Sequence, residues 1–103
     1  MAEDYTSVSL FPTYKTFTAS NTTATEIKLP KKCTYLELGS ETHKLYIGRN
    51  GATDGEAMPA HKMFIPKDNI KSIKIGAGLE RVDSIFVQAS GGSATVCIEL
   101  SEK

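Results

Sequence analysis

Side chains able to attack a substrate or carry protons are few in this chain of 103 residues: 2 His, His43 and His61, and 2 Cys, Cys33 and Cys97. A thiol beside an imidazole can become a nucleophile, but no known signature of such a pair surrounds either cysteine. His43 follows Glu41-Thr42 in an expected turn, and His61 follows Pro59-Ala60 at the entrance to a strand. Polar neighbours make both expected solvated imidazoles. Cys33 and Cys97 either form one bridge or stay reduced as small apolar residues, and they lack the close pairing that structural zinc uses. Asn50, Asp54 and Glu56 offer oxygen donors of the kind calcium takes, yet their order departs from a calcium loop. Asn50-Gly51 and Asp54-Gly55 read more simply as two turns of one loop. Gly51 and Gly55 precede neither Lys-Ser/Thr nor a helix, so no phosphate cradle is expected. The reading is non-enzymatic, with no metal and no cofactor.

Net charge points the same way. Lys+Arg 12 against Asp+Glu 12 leaves +0, so no global field draws the chain to nucleic acid or anionic lipid. Lys28, Lys31 and Lys32 are the nearest approach to a basic patch. They read as a solvated strand end, or alternatively as a contact for an acidic surface. No apolar run approaches the roughly 20 residues of a membrane helix, and Met1-Ala2-Glu3-Asp4 lacks the basic-then-apolar order of a secretion signal.

What would position any site is a set of strands. Ala94, Val96, Ile98 and Leu100 alternate with Thr95, Cys97 and Glu99, and Ile85, Val87 and Ala89 alternate with Ser84, Phe86 and Gln88. Ser90-Gly91-Gly92-Ser93 between them predicts an antiparallel hairpin over 84–100. Ile27/Leu29, Leu36/Leu38, Leu45/Ile47, Met63/Ile65 and Ile73/Ile75 repeat the period of two. Pro30, Gly39-Ser40, Pro66–Asn69 and Gly76-Ala77-Gly78 end the runs. Pro59 interrupts any helix over 56–65, and only 79–82 offers a helical turn. The fold class is therefore all-β: a single antiparallel β-sandwich, jelly-roll-like, of about eight strands with little helix.

Two segments stand apart. Residues 1–23 carry Tyr5, Leu10, Phe11, Tyr14 and Phe17 among Thr and Ser, and form either edge strands or an arm that adds to a neighbouring subunit's sheet. Residues 24–103 form the sandwich body. Within it, loop 48–62 is long for a small sandwich and holds Arg49, Met58 and Pro59, which makes it a candidate for contact with another macromolecule. The expected partner contacts are these eight residues.

The order Ile27-Lys28-Leu29-Pro30, Leu36-Glu37-Leu38, Leu45-Tyr46-Ile47-Gly48, Met63-Phe64-Ile65-Pro66, then Ile85–Ala89 and Gly92–Val96 resembles small β-sandwich virion proteins of tailed bacteriophages. The resemblance covers about residues 25–100 and includes head decoration (cement) proteins and small tail or neck components. It implies a structural protein, present in many copies or as a homo-oligomer. Such a protein is assembled in the bacterial cytoplasm and bound to a major capsid or other virion protein. No catalytic motif carries over. A rival reading is a carbohydrate-binding or adhesin-like module, against which the absence of Trp counts.

Overall fold

The computed structural model describes residues 3–5, 13–48, 54–58, 63–75 and 83–101. These hold nine strands and no helix: β1 Glu3–Asp4, β2 Thr13–Ala19, β3 Thr25–Lys28, β4 Tyr35–Gly39, β5 Leu45–Gly48, β6 Met63–Ile65, β7 Ile70–Lys74, β8 Ser84–Ala89 and β9 Ala94–Ser101. One sheet has the order β1-β3-β8-β5-β6 and the other β2-β9-β4-β7. All pairings are antiparallel except that of β1 with β3. From β2 onward the chain changes sheet at every step but one, β5 to β6. The facing quartets β2-β9-β4-β7 and β3-β8-β5-β6 have the strand order of a jelly roll.

The expected hairpin over 84–100 does not form. Both strands are present, but β8 lies between β3 and β5 while β9 lies between β2 and β4 in the other sheet. Alternation fixes which side of a strand is apolar and leaves the neighbour unspecified. Two strands that are apolar on one face are satisfied equally by pairing or by packing face to face. Gly91, with φ of 84°, turns the link from one sheet to the other, and flanking bonds pin it. Ala89 N–H donates to the Ser20 carbonyl at 2.8 Å and Ser90 N–H to the Lys44 carbonyl at 2.9 Å.

The core lies between the sheets. Ala94, Val96, Ile98 and Leu100 of β9 face Ile85, Val87 and Ala89 of β8, with Leu36, Leu38, Ile27 and Leu45 completing the layer, all at most 1% exposed. Residues 13–19 are an edge strand of this body. β2 pairs with β9 from Thr13↔Leu100 to Ala19↔Ala94 and buries Phe17 and Ala19. The expected helical turn at 79–82 and the glycines at 76–78 lie outside the described residues.

Candidate functional site

The outer face of the four-stranded sheet carries a concave surface. Register places Tyr14 opposite Glu99, Glu99 opposite Glu37, and Glu37 opposite Ser72. The next row runs Thr16, Cys97, Gly39, Ile70. Because side chains alternate, both rows point away from the core. Above Gly39 and Cys97 is a depression of about 280 Å³. Gly39 makes the floor low, and glycine is required there, because a Cβ would strike the Asn69 carbonyl oxygen. Tyr14 and Ile70 form two walls, 61% and 73% exposed.

The lining is acidic. Glu37, Glu41, Asp68 and Glu99 border the depression, and no Lys or Arg among the described residues does. Glu37 and Glu99 are direct cross-strand partners, an arrangement that like charges disfavour. Ser72 Oγ donates to Glu37 Oε1 at 3.2 Å, which offsets part of that cost. Tyr14's phenol is held above its usual range, first by hydrogen bonding to Cys97, then by charge on Cys97, with smaller contributions from burial and Glu41.

The surface continues around one corner of the sandwich. Residues 66–69 join β6, at the edge of one sheet, to β7, at the edge of the other. Asp68 takes φ of 65°, a left-handed conformation that a short polar side chain tolerates. Its N–H donates to the Ser40 carbonyl at 2.9 Å, and Asn69 Nδ2 to the Lys67 carbonyl at 3.1 Å. On either side of this turn stand Met63 (62% exposed), Phe64 (57%) and Ile70. Lys44 Nζ lies 5.0 Å from the Tyr46 ring centroid and 5.3 Å from that of Phe64, within cation–π range of both.

The eight residues expected from sequence as partner contacts fall into three places. Tyr14 stands on the acidic face. Tyr5 (5% exposed) and Phe17 (8%) lie in the main core, and Met58 (7%) is buried with Phe86 and Ala24, so the chain itself covers all three side chains. Alternation turns Phe17 inward with Ala19, and Tyr5 is drawn in beside β3, where its N–H donates to the Lys28 carbonyl at 3.1 Å. Leu10, Phe11, Arg49 and Pro59 lie outside the described residues. Sequence reading missed Met63, Phe64 and Ile70. The available signal was the unbroken run Met63-Phe64-Ile65, in which one bulky apolar residue has to face outward on a strand.

The loop after β5 turns back on its own sheet. Asp54 and Glu56, considered above as cation ligands, serve the fold. Glu26 N–H donates to Asp54 Oδ1 at 2.8 Å, and Ala24 N–H to the Glu56 carbonyl at 2.7 Å. Gln88 clamps the segment by accepting from Met58 N–H at 2.8 Å and donating to the Asn21 carbonyl at 3.1 Å. Among the described residues no group of three or more His, Cys, Asp or Glu is placed to hold a metal. Neither cysteine is in a disulfide: Cys33 lies in the core, its Sγ–H donating to the Tyr35 carbonyl at 3.4 Å, and Cys97 is half-buried on the acidic face. His43 is half-buried rather than solvated, its ring beside Gly92 and its Nδ1 without a hydrogen-bond partner among the described residues. His61 lies outside the described residues. Comparison with family models, curated proteins and solved structures finds no match to this chain.

Proposed function

We propose that this chain is a non-enzymatic structural subunit of a tailed-phage particle, a head decoration protein first and a small tail or neck component as the alternative. Its work is to add contacts to a protein lattice rather than to change bonds. One observation carries this reading. The edge strands β6 and β7, joined by the turn 66–69, carry Met63, Phe64 and Ile70, each more than half exposed. Exposed apolar side chains on edge strands suit pairing and contact with another chain. Full burial of such side chains is worth roughly 1.5–3 kcal/mol each, enough for a few subunit contacts to hold a repeated assembly together. The jelly roll supports the same reading, since that architecture recurs in capsid proteins.

The reading is tested on purified phage particles carrying this protein. Mass spectrometry is expected to find it at a stoichiometric multiple, and added protein is expected to cosediment with heads. Met63→Ser/Phe64→Ser/Ile70→Ser should fold yet stay in the supernatant. Absence from particles, together with no binding to heads or tails, overturns the proposal. A carbohydrate-binding module is the rival, favoured by Tyr14 standing beside Asn69, Glu37 and Glu99 at the depression. The four bordering carboxylates count against it, because a neutral sugar leaves their mutual repulsion in place.

A further inference from the structure

We infer that the acidic depression of the four-stranded sheet docks the Lys31-Lys32 turn of a second copy of this chain. The inference deepens the reading of a many-copy subunit by naming the partner at this face. The whole chain is neutral, with 12 basic and 12 acidic residues, yet the depression is bordered by four carboxylates and, among the described residues, by no basic one. The compensating positive charge therefore stands elsewhere on the same molecule. Strand β4 shows where. It runs from Tyr35, just after the exposed turn holding Lys31 and Lys32, to Gly39 on the floor of the depression and Glu41 beyond it. Lys74, the cross-strand partner of Tyr35, adds a third exposed ammonium near the lysine end. The lysine turn and the depression thus lie towards opposite ends of β4, although Lys67 also stands beside Asp68 at the acidic end.

A lysine side chain suits this depression. Its ammonium can bind Glu37 and Glu99 together, relieving their repulsion, while its apolar stem lies along Tyr14 and Ile70. Two different surfaces meet in this contact, so it is head-to-tail and propagates from copy to copy. Its small area makes it weak in free solution and effective where many copies are held side by side.

The test uses the full chain by analytical ultracentrifugation at high concentration. Self-association is expected, falling about tenfold or more as NaCl rises from about 0.05 M to about 0.5 M. Glu37→Lys/Glu99→Lys and Lys31→Glu/Lys32→Glu should each be monomeric alone, and mixing the two should restore association, because each acidic surface then meets a basic one. Glu41→Lys, in the exposed turn 41–43, weakens the same contact without altering a strand, should the groove variant fail to fold. A chain monomeric at low salt overturns the inference, as does association that survives reversal of Lys31 and Lys32. Association by a chain absent from phage particles sinks the virion reading alone, whereas a particle-bound chain that stays monomeric sinks this docking alone.

Discussion

The outer faces of the two sheets are finished in different ways. On the five-stranded sheet, the segment 54–58 folds over the surface, and Met58, Phe86 and Ala24 form a second small core with Tyr46 packed against it. Main-chain bonds from Ala24, Gly55 and Met58 fasten the segment down. The four-stranded sheet has no such cover among the described residues, and it presents Thr16, Thr18, Thr95, Glu99 and Tyr14 to solvent. The patch sealed by 54–58 is closed to partners, whereas the open face is available to them. The described part of the long loop, 54–58, packs on the five-stranded sheet and not on the open face.

The largest consequence concerns stability. Phe86→Ala should destabilise the chain by about 3 kcal/mol, because it empties the centre of the second core. Thr16→Ala, on the open face, should change stability by less than about 0.5 kcal/mol. Chemical denaturation of the pair checks this contrast. Near-equal effects would mean that the two faces are alike after all.

Two tyrosines carry the contrast into pH dependence. Tyr14 is exposed and held up chiefly by Cys97, whereas burial and then the charge of Glu3 push the Tyr5 phenol up to about 12. The folded state thus keeps the Tyr5 proton that an unfolded chain releases near pH 10. Between those two values the native state binds more protons, so stability falls as pH rises. The stabilisation is complete below pH 10, and its loss by about pH 12 is on the order of 2 kcal/mol. Tyr5→Phe should remove this alkaline slope. It should cost little at neutral pH, because the buried hydroxyl has no hydrogen-bond partner among the described residues. Equilibrium unfolding of both proteins from neutral to alkaline pH separates the outcomes. A slope unchanged in the variant would assign the alkaline loss to other groups.

A smaller effect is expected at the clamp. Gln88→Ala removes an acceptor for Met58 N–H and a donor to Asn21, and should cost about 1–2 kcal/mol. Amide exchange at Met58 should quicken while exchange in β9 keeps its order. Equal quickening in both would show that the loop and the sandwich open as one unit.

Much of the architecture was legible because period-two alternation is a direct report of burial. Ala94, Val96, Ile98 and Leu100 are apolar at the positions that face the core and are all at most 1% exposed. Strand partners were not legible in the same way. Ser90–Ser93 is short enough for a hairpin and also for a step between sheets, and only the competition among all strands for neighbours decides between them. The open face was obscured for a related reason. Tyr14, Glu37 and Glu99 are distant in sequence and meet through the register of three strands. Tyr5 and Phe17 share the aromatic and threonine-rich setting of Tyr14, and composition does not separate inward from outward rings.

The slightest expected effect bears most directly on why the acidic face exists. Glu37 and Glu99 sit directly opposite each other, and a like-charged pair in that register costs a few tenths of a kcal/mol. Glu99→Gln keeps the shape and removes the charge, so the isolated chain should gain about 0.5 kcal/mol at low salt and less at high salt, where screening already relieves the pair. Denaturation midpoints at the two ionic strengths measure this. The same substitution should weaken head-to-tail association, because it withdraws one of the carboxylates that a lysine would bridge. A gain in stability joined to a loss of association would mean that the carboxylate serves contact at the expense of the fold. Lower stability in the variant would mean instead that Glu99 is already satisfied within its own sheet, and the acidic face would need no partner to explain it.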